Sequence, residues 1–94
     1  MTNKKVTPAA TEKQREFGAL LQEIRLKAGL SRKKMGQMLG DVSIHSIICY
    51  EWTDPRVGHL LPSKQLRLYL ELALKAGIDP VAVMNAYCEA DNEL

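Results

Sequence analysis

Residues 29–52, GLSRKKMGQMLGDVSIHSIICYEW, decide how this chain folds. Gly29 opens the stretch and Gly40 divides it. After Gly29, Ser31 is a good N-cap, and Met35 and Leu39 recur four apart, which predicts a short helix over 32–39 with those two side chains inward. After Gly40, Ser43 is a second N-cap, and Ile47 and Tyr50 at i and i+3 predict another helix over 44–52. Helices this short are marginal alone. The stretch therefore reads as a helix pair pinned around one glycine, held in place by the rest of the chain. Five basic residues and no acid lie between Ile24 and Gly40.

On the N-terminal side, residues 1–11 carry Thr, Asn, Lys, Pro and Ala without periodicity and read as a flexible arm. Thr11 can cap a helix beginning at Glu12, where Phe17, Leu20, Leu21 and Ile24 form one apolar stripe running to about Ala28. Gly29 ends it in the C′ role. On the C-terminal side, residues 53–61, TDPRVGHLL, read as a loop. Pro62 and Ser63 open a fourth helix through Ala76, with Leu66, Tyr69, Leu70 and Ala73 inward and a second apolar row at Leu68 and Leu72. Gly77 breaks it. Asp79 can cap the next turn, Pro80 suits the first helical position, and a fifth helix over about 80–89 offers Val81, Met84, Tyr87 and Cys88. With no strand-like alternation, the prediction is an all-α, five-helix domain over 12–89 followed by an acidic tail, 90–94.

The totals agree. Ninety-four residues give one modest core and little room for a deep substrate cleft. No apolar run approaches the roughly 20 residues that span a bilayer. The opening MTNKKVTPAATEKQ has lysines but no apolar stretch behind them, so no signal peptide is expected, and the location expected is cytoplasmic, associated with the nucleoid. Cys49 and Cys88 are expected to be buried thiols, not a disulfide framework. The net charge of +2 divides unevenly: residues 1–75 hold all 13 Lys/Arg against seven acids, a net +6, while 76–94 hold four acids and no base, a net −4. A basic body of this kind suits a polyanion partner.

At this point the chain resembles the lambda-repressor-like, Xre-type family of small bacterial, plasmid and phage DNA-binding domains. The matching residues are Ile24-Arg25, Gly29-Leu30-Ser31, Leu39-Gly40, Val42-Ser43, Ile47, Tyr50-Glu51, Pro62, Leu72-Ala73 and Gly77-Ile78, covering roughly residues 15–84. The resemblance implies a helix-turn-helix at helices 2 and 3, the first crossing the phosphate backbone and the second lying in the major groove. Ser31 and the first-turn amides, with Arg32, Lys33 and Lys34, are then the phosphate contacts, joined by Arg56 from the long loop, where His59 also lies. The base-reading positions fall at Ile44, His45, Ser46, Ile48 and Cys49. Here the chain departs from the family's polar or basic readers: Ile44 suits a thymine methyl, and Ser46 or His45 a base edge. Asp41 is an extra residue in the turn, and the loop between Trp52 and Pro62 is longer than the family norm.

Other chemistry is weakly signalled. His45 and Cys49 are four apart, and His59 and Cys88 complete a zinc-like set, but the spacing lacks a CxxC or HxxxH knuckle, so neither metal nor cofactor is expected. Glu23, Glu51 and Glu71 read as isolated surface carboxylates, and with no nucleophile–base arrangement no enzyme is expected. The function expected is a sequence-specific, double-stranded-DNA-binding transcriptional regulator, a homodimeric repressor or autoregulator. Leu68, Leu72, Val83, Met84 and Tyr87 are surplus apolar residues for the dimer interface; closing the monomer core is their other use. The alternative function is a protein-interaction module, an antitoxin or adaptor on a degenerate helix-turn-helix scaffold, using Ile44 and Ile48.

Overall fold

A computed structural model describes residues 10–53 and 58–92. The arm up to residue 9, Arg56 and the last two residues lie outside them. The described residues form five helices and no strands: α1 (Glu12–Lys27), α2 (Arg32–Met38), α3 (Ile44–Tyr50), α4 (Ser63–Lys75) and α5 (Pro80–Asn92). None of these helices is long and apolar enough to cross a membrane.

The starts follow from the capping residues. Thr11 and Gln14 form a capping box: Thr11 Oγ1 accepts from the Gln14 amide at 3.1 Å, and the Thr11 amide donates back to Gln14 Oε1 at 3.0 Å. Ser31 accepts from the Lys34 amide and Ser43 from the Ser46 amide, each at 3.1 Å. Asp79 Oδ1 accepts from the Val81 amide at 3.0 Å beside the Pro80 that opens α5.

The stops are more instructive. α1 closes on the C″ and C′ amides: Leu30 N donates to Arg25 O and Gly29 N to Leu26 O. α3 closes in the same way, with Thr53 N on Ile48 O and Trp52 N on Cys49 O, so it ends at Tyr50 and not at the expected residue 52. The left-handed position is held there by Trp52, at φ 56°, where glycine is usual. That conformation costs a non-glycine residue about 1–2 kcal/mol. The indole packs over Gly58, where a Cβ would stand 1.9 Å from Trp52 Cε3.

α2 ends differently. Gly40 (φ 99°) and Asp41 (φ 63°) are both left-handed, and the closing bond passes one residue further on, from Val42 N to Gly36 O at 2.9 Å. Asp41 is thus accommodated as a second left-handed residue, a conformation Asp tolerates better than most. α5 continues past the expected end near 89 to Asn92, because Ala90 is buried in the core.

α1 is the organising helix. It packs on α4 and α5, α4 packs on α5, and α2 packs on α3. Phe17, Leu21 and Ile24 meet Met35 of α2, Ile47 of α3, Leu61, and Leu66, Tyr69 and Ala73 of α4 in one cluster completed by Val83 and Ala90 of α5. Burying a side chain of this size stabilises by about 1.5–3 kcal/mol. The rings of Phe17 and Tyr87 meet edge to face, with centroids 5.6 Å apart, and pin α5 to α1.

Candidate functional site

The α2–α3 pair is fixed from behind by two close backbone approaches and one buried ionic network. A Cβ on Gly36 would lie 2.0 Å from Val42 O, so the middle of α2 can touch the turn into α3 only because that residue is glycine. A Cβ on Gly18 would lie 2.3 Å from Glu51 O, which lets α1 press against the end of α3. Nothing in the local periodicity of the sequence marks either contact. The only signal is a glycine inside a helical pattern, which usually has a packing reason.

Glu51 was expected at the surface and is instead buried, its side chain fully so. It caps α3, and its carboxylate accepts from Arg25 Nε at 2.6 Å, from Arg25 Nη2 at 3.4 Å and from Arg32 Nε at 3.1 Å. Arg25 is itself buried and donates from Nη1 to Leu30 O at 2.8 Å. One carboxylate therefore ties α1, the α1–α2 turn, the first residue of α2 and the last turn of α3. Its neighbour in the core, Tyr69, has its phenol pushed well above the ordinary range, by burial first and by the Glu51 charge second. The other two carboxylates read as isolated are paired: Glu23 with Lys27 at 3.2 Å and Glu71 with Arg67 at 3.6 Å. These exposed i,i+4 pairs are worth a few tenths of a kcal/mol.

The expected phosphate contacts separate accordingly. Lys33 and Lys34 are exposed on the first turn of α2. Ser31 is exposed and acts as the N-cap. Arg32 is half-buried and held by Glu51, so its charge belongs to the inner network and not to the free face. Arg56 lies in the segment outside the described residues. His59 is exposed, and its amide donates to Cys49 O at 3.3 Å, bringing the returning loop past the end of α3.

The expected base-reading positions divide too. Ile44 and His45 are exposed, Ser46 and Ile48 half-buried, and Cys49 is buried, so Cys49 faces inward and offers nothing to a ligand on the outer face. Ser46 Oγ accepts from the Ser43 hydroxyl at 3.1 Å, and His45 Nε2 lies 3.7 Å from Cys49 Sγ. The large apolar side chains that remain outward on the pair are Ile44, 47% exposed, and Met38, 43% exposed. Asp41, also exposed, is the single carboxylate between Ser31 and Tyr50 on a pair that is otherwise basic or neutral outside.

Of the five residues expected at a dimer interface, Val83 is in the monomer core and Tyr87 is half-buried against Phe17. Leu68 and Leu72 pack against the core as partly buried residues, and only Met84 is exposed. The apolar side chains most exposed near the α4–α5 turn are Leu74 and Val81, the first of which no reading of the α4 stripe singled out. Cys49 is buried, but Cys88, expected to be buried as well, is exposed. Among the described residues no group of three or more His, Cys, Asp or Glu side chains is placed to hold a metal ion. Comparison of the chain with protein-family models, with curated proteins and with solved structures returns no match.

Proposed function

We propose that this chain is a sequence-specific double-stranded-DNA-binding regulator of the lambda-repressor-like, Xre type, with α2–turn–α3 as its helix-turn-helix and a cytoplasmic, nucleoid-associated site of action. The observation that carries the reading is the division of the α2–α3 pair. Its inner side is locked to α1 by Glu51, while its outer side presents Ser31, Lys33 and Lys34 on one helix and Ile44 and His45 on the next. A braced short helix pair with lysines on the first member and an uncovered outer face on the second suits backbone grip by α2 and groove entry by α3. As a single domain it reads too short a site for useful specificity, so the active species is a homodimer reading two half-sites about one helical turn apart, as a repressor or autoregulator. The exposed Met84, Val81 and Leu74 are the side chains that would join two copies.

The test is binding to a random-sequence duplex across a salt series. Affinity falls steeply with salt, and Lys33→Ala together with Lys34→Ala flattens the log–log slope by about one per lost phosphate contact, or about two in all. A slope no different from background at low salt removes the reading. The exposed Ile44 and Met38 favour one rival, a module that captures a protein partner through this apolar surface. That rival predicts partner binding that is insensitive to salt and lost in Ile44→Ala.

A further inference from the structure

The outer face of α3 carries few polar groups free to read a base edge. Ser46 Oγ is engaged by Ser43, one imidazole nitrogen of His45 is directed at Cys49, and Cys49 is buried. Two side chains stand outward, the exposed His45 and Ile44, the latter about half exposed with Ile48 one helical turn behind it on the same side and partly exposed. The side chain of Ile44 is therefore aimed at whatever the pair docks against, and it has no hydrogen-bonding capacity. In a major groove only one feature of the base pairs rewards such a side chain, the methyl group on C5 of a pyrimidine. An unmethylated cytosine edge offers an isoleucine no such methyl group and so forgoes the apolar contact.

Resting on the DNA-binding reading above, we infer that Ile44 makes this chain a reader of 5-methylpyrimidines: each half-site carries a C5 methyl group that packs on Ile44, and specificity at that position comes from apolar contact and not from hydrogen bonding. Thymine and 5-methylcytosine present the same methyl group, so either base can supply it.

The experiment uses the full chain and two random duplex pools, one of ordinary DNA and one in which every cytosine carries a 5-methyl group. Thymine as the source gives a fixed dT in the consensus from the ordinary pool; 5-methylcytosine as the source gives a fixed methylated dC only in the second. Each fixed methylpyrimidine is then replaced by its unmethylated counterpart, dT by deoxyuridine or 5-methyl-dC by dC, which removes one carbon and changes no hydrogen bond. The expected result is about a fourfold loss of affinity at one position per half-site, the worth of one buried methyl group. The same replacement leaves Ile44→Ala unaffected, while that variant melts at the wild-type temperature. If duplexes are selected but no methyl removal changes their affinity, or if Ile44→Ala suffers the same loss as wild type, the inference is overturned and DNA binding stands. If neither pool yields a duplex, DNA binding itself falls and the inference with it.

Discussion

The two sides of the α2–α3 pair are built on opposite principles. Behind it, Arg25, Arg32 and Glu51 form a network whose carboxylate is wholly buried, Ile47 and Met35 are fully enclosed, and Gly36 permits backbone contact with Val42. In front, Lys33, Lys34, Ile44 and His45 are exposed. The same short segment thus carries residues determined by packing and residues that stay outside it. Placing charge in the first group and an isoleucine in the second reverses the usual partition. The inner charges are tolerable because each is paired and hydrogen-bonded. The outer isoleucine leaves apolar area in solvent, as Met38 does on α2.

The largest expected effect strikes the inner side. Glu51→Ala leaves two guanidinium groups without their shared carboxylate, and Arg25 is too buried to recover its hydration. Breaking a buried pair by removing one partner costs about 3–5 kcal/mol, a large part of the stability of a domain this size. Chemical denaturation at neutral pH measures it. A loss below about 1 kcal/mol would show that the network is dispensable and that the two sides of the pair do not differ as argued. Removing all three charges at once, with apolar residues of similar volume in their place, should recover much of the loss.

A smaller effect, still on the inner side, is expected from Gly36→Ala. Alanine favours helix by about 1 kcal/mol over glycine, so on propensity alone the change would stabilise. The Val42 carbonyl opposes it, because it is backbone, 2.0 Å from the new Cβ, and cannot rotate away. The turn into α3 must open instead, and the net expectation is a loss of about 1–3 kcal/mol. A thermal melt of the variant decides the sign. Unchanged or raised stability would mean that the α2–α3 approach is loose and that the turn yields without cost.

The sequence made the front of the pair legible and much of the back illegible. Helix starts were readable because a cap is a local event: Thr11, Ser31, Ser43 and Asp79 each bond an amide two or three residues ahead. The stops at Gly29 and Gly77 were readable for the same reason. α3 was assigned two residues too many because its left-handed closing residue is Trp52, a type that ordinarily belongs inside an element. Glu51 reads as a surface carboxylate because its partner Arg25 lies 26 residues away, and nothing in local spacing announces such a pairing. The outward place of Cys49 is implied only by the family resemblance, whereas its reading as a buried thiol agrees with the structure, where the returning chain at His59 passes the end of α3. Val83 and Tyr87 were surplus only so long as the depth of the α1–α5 contact was unknown; Phe17 and Ala90 show how much α5 buries.

The smallest effect belongs to the outer side and concerns Asp41. It is the one carboxylate on the exposed part of the pair, fixed in the turn next to the helix that docking would bring against DNA. Its charge opposes the phosphates that Lys33 and Lys34 would grip, and at exposed sites such opposition is worth no more than a few tenths of a kcal/mol to about 1 kcal/mol. Asn keeps the shape and tolerates the left-handed backbone that this position requires. Asp41→Asn should therefore leave the melting temperature in place and tighten duplex binding by about two- to fivefold in dilute buffer, with the gain shrinking as salt approaches 1 M and the screening length falls to about 3 Å. A fluorescence anisotropy titration at two salt concentrations reads it. If the variant binds duplex no better at low salt, Asp41 does not face the phosphates, and α3 enters the groove at another angle or not at all. An equal gain at both salt concentrations would mean that the carboxylate acts by shaping the turn. Asp41 would then belong with Gly36 among the residues chosen by packing, and the boundary between the two sides of the pair would move by one residue.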